Sequence, residues 1–155
     1  MTQLPAGASA PDFELHSIEG GSRRLAGALK RGPVVLVFYK SSCPTCRFAF
    51  PFIQKIAEAA GKNPPWTLWA VSQDEPEETR EFVKHHGLTF EVLIDEHPYP
   101  VSAAYGLKFV PTLFMIEPGG TITLSEFGFT KAGLNQIAGF EFFKPDDGLP
   151  LTRPG

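Results

Sequence analysis

Two cysteines with two residues between them are the side chains in this sequence best suited to chemistry. Cys43 and Cys46 are the only cysteines among the 155 residues, and Pro44 and Thr45 separate them. A thiolate can attack a disulfide, and a second thiol one helical turn away can then attack the mixed disulfide that forms. In a reducing compartment so close a pair is more often catalytic or metal-binding than a structural cross-link. We expect Cys43 to act as the nucleophile and Cys46 as the resolving thiol.

The residues on either side of the pair predict a strand followed by a helix. Residues 32–39 read GPVVLVFY, which is typical of a strand buried on both faces. Residues 47–61 read RFAFPFIQKIAEAAG, in which Phe48, Phe52 and Ile56 recur at helical spacing and a final glycine ends the pattern. The cysteines therefore lie where a central strand turns into a helix.

The start of this helix gives the thiols their expected reactivity. Ser42 or Cys43 is the expected N-cap, and Pro44 suits the first helical position. A thiolate there faces unpaired N–H groups and the positive end of the helix dipole, which lower a cysteine pKa. Lys40 and Arg47 flank the turn. Either their positive charges stabilise the thiolate, or they are ordinary solvated surface residues.

Half of a zinc site is another interpretation of the two cysteines, because this spacing supplies two of the four ligands that zinc requires. The second half is hard to find in the sequence. His85 and His86 are adjacent and point in different directions on a helix, while His16 and His97 are isolated. We expect no metal and no cofactor.

The rest of the chain alternates between strand and helix patterns. The expected strands are residues 66–72, 90–94, 113–116 and 121–124, and the expected helices are residues 76–86, 101–105 and 130–139. Strand–helix–strand alternation favours βαβ units and a mainly parallel sheet. The sequence EPGG at residues 117–120 predicts a hairpin between the last two strands.

Residues 140–155 differ from the rest in composition. Phe140, Phe142 and Phe143 lie close together and are followed by prolines and glycines. We expect the aromatic side chains to dock on the body as a terminal clamp and the remainder to run irregularly. The alternative is that the phenylalanines form a partner-binding patch.

Composition limits the functions open to the chain. Lys plus Arg total 14 against 17 Asp plus Glu, and this balance disfavours a nucleic-acid partner. The length fits a single domain over residues 1–155, and we expect a monomer. No apolar run approaches the roughly 18 residues that span a membrane, and the start lacks the features of a secretory signal. We expect a cytoplasmic protein if Met1 is the native start, and a periplasmic or membrane-anchored one if a leader was removed.

The motifs together resemble those of the thioredoxin superfamily. The segments GASAPDFEL, LAGALKRGPVVLVFYKSSCPTC, WAVSQDEPEETREFVKHHGLTFEVLID and AYGLKFVPTLFMIEPGG are similar in order and spacing to its redoxin branch. That branch includes TlpA- and ResA-like thiol-disulfide oxidoreductases and the alkyl hydroperoxide reductase and thiol-specific antioxidant group. The resemblance implies an α/β thioredoxin-like fold with a central mixed sheet flanked by helices, an N-terminal extension and a C-terminal aromatic tail.

The resemblance also implies a substrate site. Val110 and Pro111 would form a cis peptide beside the cysteine pair, and the Val110 backbone would pair with an extended segment of the substrate. Pro44 and Thr45 would complete the surface that the substrate contacts. The implied partners are protein thiols and disulfides, together with a thioredoxin-type or other electron donor.

Three departures from the thioredoxin pattern leave the reduction potential and the partner open. Thioredoxins have a tryptophan where this chain has Ser42, and a buried carboxylate where it has Val37. The dipeptide between the cysteines is Pro-Thr, as in the Cys-Pro-x-Cys type of glutaredoxins and disulfide-forming Dsb proteins, rather than Gly-Pro.

Two other functions remain as alternatives. In a peroxiredoxin-like peroxidase, Cys43 would be oxidised to a sulfenic acid and Cys46 would condense with it. The peroxiredoxin motif, however, requires a proline where this chain has Leu36 and a hydroxyl residue where it has Lys40. The second alternative is a non-enzymatic binding module. The presence of both cysteines and Pro111 argues against it, because a binding module has no need of these residues.

Overall fold

The computed structural model describes residues 3–155. A sheet of seven strands consists of β1 (Glu14–Ser17), β2 (Ser22–Arg24), β3 (Val34–Tyr39), β4 (Thr67–Ser72), β5 (Glu91–Ile94), β6 (Thr112–Ile116) and β7 (Ile122–Phe127). Two short strands, β8 (Phe129–Thr130) and β9 (Thr152–Arg153), pair with each other. The helices are α1 (Leu25–Leu29), α2 (Pro44–Ala60), α3 (Pro76–His86), α4 (Pro100–Ala104) and α5 (Lys131–Ala138).

Strand β3 lies inside the sheet, between β4 and β6, and all six of its residues are buried. Its side chains alternate between two apolar cores. Val35, Val37 and Tyr39 belong to the core that includes residues of α2, α3 and α5, whereas Leu36 and Phe38 belong to the core that includes residues of α1 and α4. This burial on both faces explains why the segment is a continuous apolar run rather than an alternating one.

The sheet is mixed, and the expectation of a mainly parallel sheet is wrong. Only β3 with β4 and β4 with β5 pair in parallel among the six pairings of the seven-stranded sheet. The predicted βαβ units are present through α2 and α3. The four antiparallel pairings join β1 to β2, β1 to β5, β3 to β6 and β6 to β7. The β6–β7 hairpin was predicted, whereas strands β1 and β2 were not.

Helix α2 begins and ends as the sequence predicts. Cys43 is its N-cap, Pro44 is its first residue and Gly61 follows its last turn. The predicted apolar face is only partly correct, because Phe48 and Phe52 are half-buried and the inner face is formed by other residues, including Ala49, Phe50 and Ile53. Phe48 and Phe52 contact Phe129, and Phe52 also contacts Phe143. The second apolar face is therefore covered by later parts of the chain.

Residues 140–155 follow the expectation in part. Phe143 is buried and Phe142 half-buried against the core, but Phe140 is exposed. The expected irregular course is wrong for Thr152 and Arg153, which form β9 and pair with β8. Lys131 anchors the intervening turn, since its buried ammonium donates to the Lys144 carbonyl and the Asp147 carboxylate. Among residues 3–155 no helix has the length and apolar character needed to cross a membrane.

Candidate functional site

The two cysteines lie at the carboxyl end of β3, where the chain turns into α2. Cys43 is half-buried, whereas Cys46 has no exposed surface. The difference follows from helix geometry, because the N-cap lies at the surface and the residue three positions later points back into the core. The Cys43 sulfur is therefore accessible to a partner, whereas the Cys46 sulfur can be reached only by groups inside the protein.

The Cys43 sulfur has two polar partners. It accepts a hydrogen bond from the backbone N–H of Cys46, at 3.2 Å, as an N-cap side chain does at the start of a helix. In the dithiol form it also donates to the carbonyl oxygen of Val110, at 3.3 Å.

The segment that precedes β6 places Val110 opposite Cys43. The Val110–Pro111 peptide bond is cis. Pro111 is buried and its carbonyl accepts from Gly128 N–H at 2.7 Å, while the Thr112 hydroxyl donates to the Phe109 carbonyl at 2.7 Å. These bonds hold the segment on both sides of Val110. The sequence-predicted residues Cys43, Cys46, Val110 and Pro111 are thus brought together.

Burial raises the pKa of the Cys46 thiol. The charges of Cys43 and Asp74 act in the same direction, and the backbone of Lys40 acts against them. An uncharged Cys46 is thus favoured while Cys43 is a thiolate. The buried sulfur is thus the one that loses its proton less readily than an ordinary thiol.

Asp74 belongs to this site, and the sequence analysis missed it. The residue is half-buried in the turn after β4, and its carboxylate accepts from Ser41 N–H at 2.8 Å. Its own N–H donates to the Ser72 hydroxyl, at 3.0 Å. Because β3 and β4 are parallel neighbours, their carboxyl ends meet at one edge of the sheet. That relationship was the signal that could have identified Asp74.

Lys40 and Arg47 lie on different sides of the turn. Lys40 lines the cleft that contains Cys43, with its ammonium 5.8 Å from the centre of the Tyr99 ring. Arg47 donates to the Ser41 carbonyl at 2.8 Å and lines a neighbouring depression beside His86. An effect of either residue on the reactivity of Cys43 stays a prediction. Lys40 is the better placed of the two, because it lines the same cleft as Cys43.

A cleft of about 490 Å³ opens beside Cys43. Its lining includes Lys40, Cys43, Pro44, Lys108, Phe109 and Gly155. Of the described residues that line it, none is acidic. Phe109 is 51% exposed and its ring lies 5.6 Å from that of Phe127. The cleft therefore combines two cationic side chains with an exposed aromatic surface.

Pro44 and Thr45 have different surroundings. Pro44 is exposed in the cleft, whereas Thr45 is buried and its hydroxyl donates to the Pro154 carbonyl. Residues 152–155 thus reach the cysteine pair from the far end of the sequence. No pattern within residues 140–155 indicates this contact, because it depends on the long-range pairing of β9 with β8.

The histidines do not complete a zinc site within the described part of the chain. His85 and His86 stack edge to face, and the His86 ring contacts Phe82. No group of three or more His, Cys, Asp or Glu side chains is arranged to hold a metal in residues 3–155. The half-site interpretation of the cysteines therefore has no second half there.

Comparison with protein families and curated proteins gives a consistent result. Residues 6–125 match the model of the AhpC/TSA family. The chain is 32% identical over 122 residues to the thiol-disulfide oxidoreductase ResA of Geobacillus thermodenitrificans, covering 78% of this chain and 68% of that protein. It is 38% identical over 136 residues to the methylamine utilization protein MauD of Paracoccus denitrificans, covering 84% of this chain but only 63% of MauD.

Solved structures share the fold. A protein of Chlorobium tepidum assigned as the thiol:disulfide interchange protein DsbE is 30% identical, with a TM-score of 0.75 over 86% of this chain and 95% of that one. StoA of Bacillus subtilis is 22% identical, with a TM-score of 0.70 over 87% of this chain and 98% of that one. The thioredoxin-like arrangement of a mixed sheet flanked by helices is therefore common to both.

Proposed function

Because the chain belongs to the AhpC/TSA family, we propose that Cys43 is the nucleophile and Cys46 the resolving thiol of a disulfide exchange. The chain is a thiol-disulfide oxidoreductase that acts on protein substrates. One observation carries the assignment of roles. The accessible sulfur caps the helix and faces the Val110 carbonyl, while the second sulfur is fully buried behind it.

The exchange takes two steps. The Cys43 thiolate attacks one sulfur of a substrate disulfide, so that a mixed disulfide forms and the other substrate sulfur leaves as a thiolate. Cys46 then loses its proton and attacks the Cys43 sulfur. This second attack releases the reduced substrate and closes the disulfide between Cys43 and Cys46. Two electrons pass from the protein to the substrate, and the reverse sequence oxidises a substrate dithiol.

The raised pKa of Cys46 favours this order of steps. Burial is the main cause of the increase, and the negative charge of Cys43 adds to it. That charge disappears once Cys43 is joined to the substrate. Cys46 consequently becomes easier to deprotonate when its attack is required, and the free dithiol is protected from premature reaction at Cys46.

A substrate segment would align along Val110. The backbone of an extended peptide can pair with exposed N–H and C=O groups, and the Val110 carbonyl already faces the attacking sulfur. Pro44 would form the adjoining surface, whereas Pro111 and Thr45 are buried and would support it from within. Regeneration requires a dithiol or disulfide donor, for which a thioredoxin-type protein is the proposed class. We also propose a monomer and a single domain, since both apolar cores lie against the same sheet.

The peroxidase alternative has less support from the site. Lys40 stands where the peroxiredoxin motif requires a hydroxyl, and its ammonium is directed towards the Tyr99 ring. Leu36 is fully buried in β3 where that motif requires a proline. The proline and the hydroxyl of that motif are therefore replaced by an aliphatic side chain and a cation.

A redox titration in thiol buffers, with alkylation and mass spectrometry as the readout, tests the proposal. We expect one reversible two-electron transition between the dithiol and the disulfide of Cys43 and Cys46. A midpoint of about −270 mV would mark a reductant suited to the cytosol, and one of about −120 mV an oxidant suited to an extracytoplasmic compartment. Failure to form an intramolecular disulfide at any potential would exclude the two-cysteine mechanism.

Two variants separate the roles of the cysteines. Cys43→Ser should abolish turnover of a protein disulfide, whereas Cys46→Ser should accumulate a mixed disulfide that mass spectrometry detects. Rapid consumption of peroxide by the wild-type protein, with disulfide exchange absent, would favour the peroxidase instead. A binding module would keep the affinity for its partner in both variants.

A further inference from the structure

Residues 152–155, here called the strap, lie beside the cysteine pair. Thr152 and Arg153 form β9 and pair with Thr130 and Phe129 of β8. The chain then continues over the start of α2, so that the strap lies between this helix and the segment containing Val110.

Three further contacts hold the strap in place. The Arg153 guanidinium lies 4.7 Å from the centre of the Phe48 ring. The hydroxyl of Thr45, a residue between the two cysteines, donates to the Pro154 carbonyl. Gly128 has a φ of +74°, and a Cβ there would overlap the Arg153 carbonyl oxygen, so the strap and the turn before β8 fit only with glycine.

The end of the strap meets Val110 itself. A Cβ on Gly155 would overlap the Val110 carbonyl oxygen, and so the strap approaches this peptide group more closely than a side chain permits. Gly155 also lines the cleft that contains Cys43. The strap therefore occupies the side of Val110 along which an extended substrate segment would lie.

The remainder of the cleft beside Cys43 is open. Lys40, Gln73 and Lys108 line it, and the strap enters this cleft only through Gly155. A small disulfide needs only this opening to reach the sulfur. A polypeptide that pairs with Val110 needs the space that the strap fills.

We propose that residues 152–155 set the substrate specificity of the exchange by occupying the Val110 side of the groove, so that small disulfides react directly whereas an extended protein segment must first displace the strap. This inference rests on the proposed function. The contacts that hold the strap are few and Pro154 and Gly155 are exposed, so that displacement is reversible. If the strap is docked nine-tenths of the time, the protein reaction is slowed about tenfold.

Variants of the 155-residue chain in a Cys46→Ser background test this proposal, because Cys43 then forms one stable mixed disulfide per molecule. Arg153→Ala combined with Gly155→Leu removes the contact with Phe48 and places a side chain against Val110. Leu151→Ala is the matched control, since Leu151 is 65% exposed and precedes the strap. The probes are 2-hydroxyethyl disulfide and insulin, and mass spectrometry follows the rate at which each mixed disulfide forms.

We expect the double variant to react with insulin about tenfold faster than the parent and with the small disulfide within about twofold, while the control matches the parent. Hydrogen exchange of residues 129–130 and 152–153 should lose protection only in the double variant. Equal acceleration with both probes, or with neither, would overturn the proposal. Unchanged protection of these residues in the double variant would also overturn the proposal, because the strap would then not depend on the contacts of Arg153 and Gly155. A different result, in which iodoacetamide modifies Cys43 but no variant forms a mixed disulfide with either probe, would reject the proposed function and this inference with it.

Discussion

The Cys43 thiol and the Val110 carbonyl oxygen lie 3.3 Å apart, although 67 positions separate the two residues in the sequence. Cys43 is the N-cap of α2, the helix that follows β3. Val110 lies just before β6, a strand that is a direct neighbour of β3 in the sheet. The relationship therefore depends on the antiparallel pairing of β3 with β6. It places the proposed nucleophile and the proposed substrate-pairing backbone at one edge of the sheet.

The buried thiol should react slowly with alkylating agents. In a Cys43→Ser variant, iodoacetamide should modify Cys46 at least about a hundredfold more slowly at pH 7.5 than a free cysteine. The physical reasons are burial and a raised pKa, which lower both access and the thiolate fraction. The rate should keep rising above about pH 10, where an ordinary thiol with a pKa of about 8.5 has already levelled off. A profile that follows an ordinary thiol would contradict this assignment.

Removing the charge of Asp74 should make Cys46 more acidic. Asp74→Asn keeps a carbonyl oxygen that can accept from Ser41 N–H but removes a negative charge that raises the pKa of Cys46. In the Cys43→Ser background, the alkylation profile of Cys46 should therefore move to lower pH. Glu77→Gln, an exposed change in the first turn of α3, is the control and should leave the profile in place. An unchanged profile in both variants would exclude an electrostatic role for Asp74.

The cations of the cleft should favour anionic small disulfides. Lys108→Glu should slow the reaction of Cys43 with a dianionic aromatic disulfide several-fold at low ionic strength, because Lys108 lines the cleft. The reaction with neutral 2-hydroxyethyl disulfide should change little. Salt at about 1 M should remove most of the difference, since it screens exposed charges. Equal slowing with both probes would indicate a steric effect instead.

The aromatic core behind α2 should dominate stability. Phe50 is fully buried and its ring centre lies 4.7 Å from that of Tyr39 and 5.1 Å from that of Phe82. Phe50→Ala should lower the free energy of unfolding by about 3–5 kcal/mol, measured by denaturant titration. Phe140→Ala is the comparison, because that side chain is 55% exposed. It should cost no more than about 0.5 kcal/mol.

The docking of residues 140–147 should weaken in acid. The hydrogen bond from Lys131 lowers the pKa of Asp147 from its ordinary value of 3.8. Because the folded pKa is the lower one, the stabilisation is complete above pH 3.8 and is lost as the pH falls through the folded pKa. The protection factors of this segment, which correct hydrogen exchange for its intrinsic pH dependence, should therefore fall below about pH 4 in the wild-type protein. Asp147→Asn should show faster exchange already at neutral pH and no further loss over that range.

The sequence predicted the parts of the site that are local in the chain. The apolar run before the cysteines, the N-cap and the helix beginning at Pro44 depend on neighbouring residues, and β3 and α2 follow these expectations. Helix α3 also has the predicted bounds, because acidic residues begin it and Gly87 ends it with a left-handed conformation. The resemblance to redoxins added the motif containing Val110 and Pro111, which lies far from the cysteines in sequence.

What the sequence did not predict depends on pairings between distant segments. Strands β1 and β2 are short and polar, and their place in the sheet follows from hydrogen bonds with each other and with β5. Phe48 and Phe52 fit a helical pattern equally well as core or as a second face, and the positions of Phe129 and Phe143 decide between these possibilities. Asp74 and the strap joined the site through the arrangement of strands rather than through any local motif.

The two edges of the seven-stranded sheet determine how the molecule meets other chains. At one edge, Gly7 N–H donates to the Ile122 carbonyl and Ile122 N–H donates to the Ala8 carbonyl, so that residues before β1 cover part of β7. At the other edge, β2 has only three residues and two of them are arginines. Short, covered or charged edges discourage the strand-to-strand aggregation to which open sheets are prone. Contact with a foreign backbone is thereby disfavoured at both sheet margins, and the groove at Val110, from which the strap must first be displaced, is the proposed place for it.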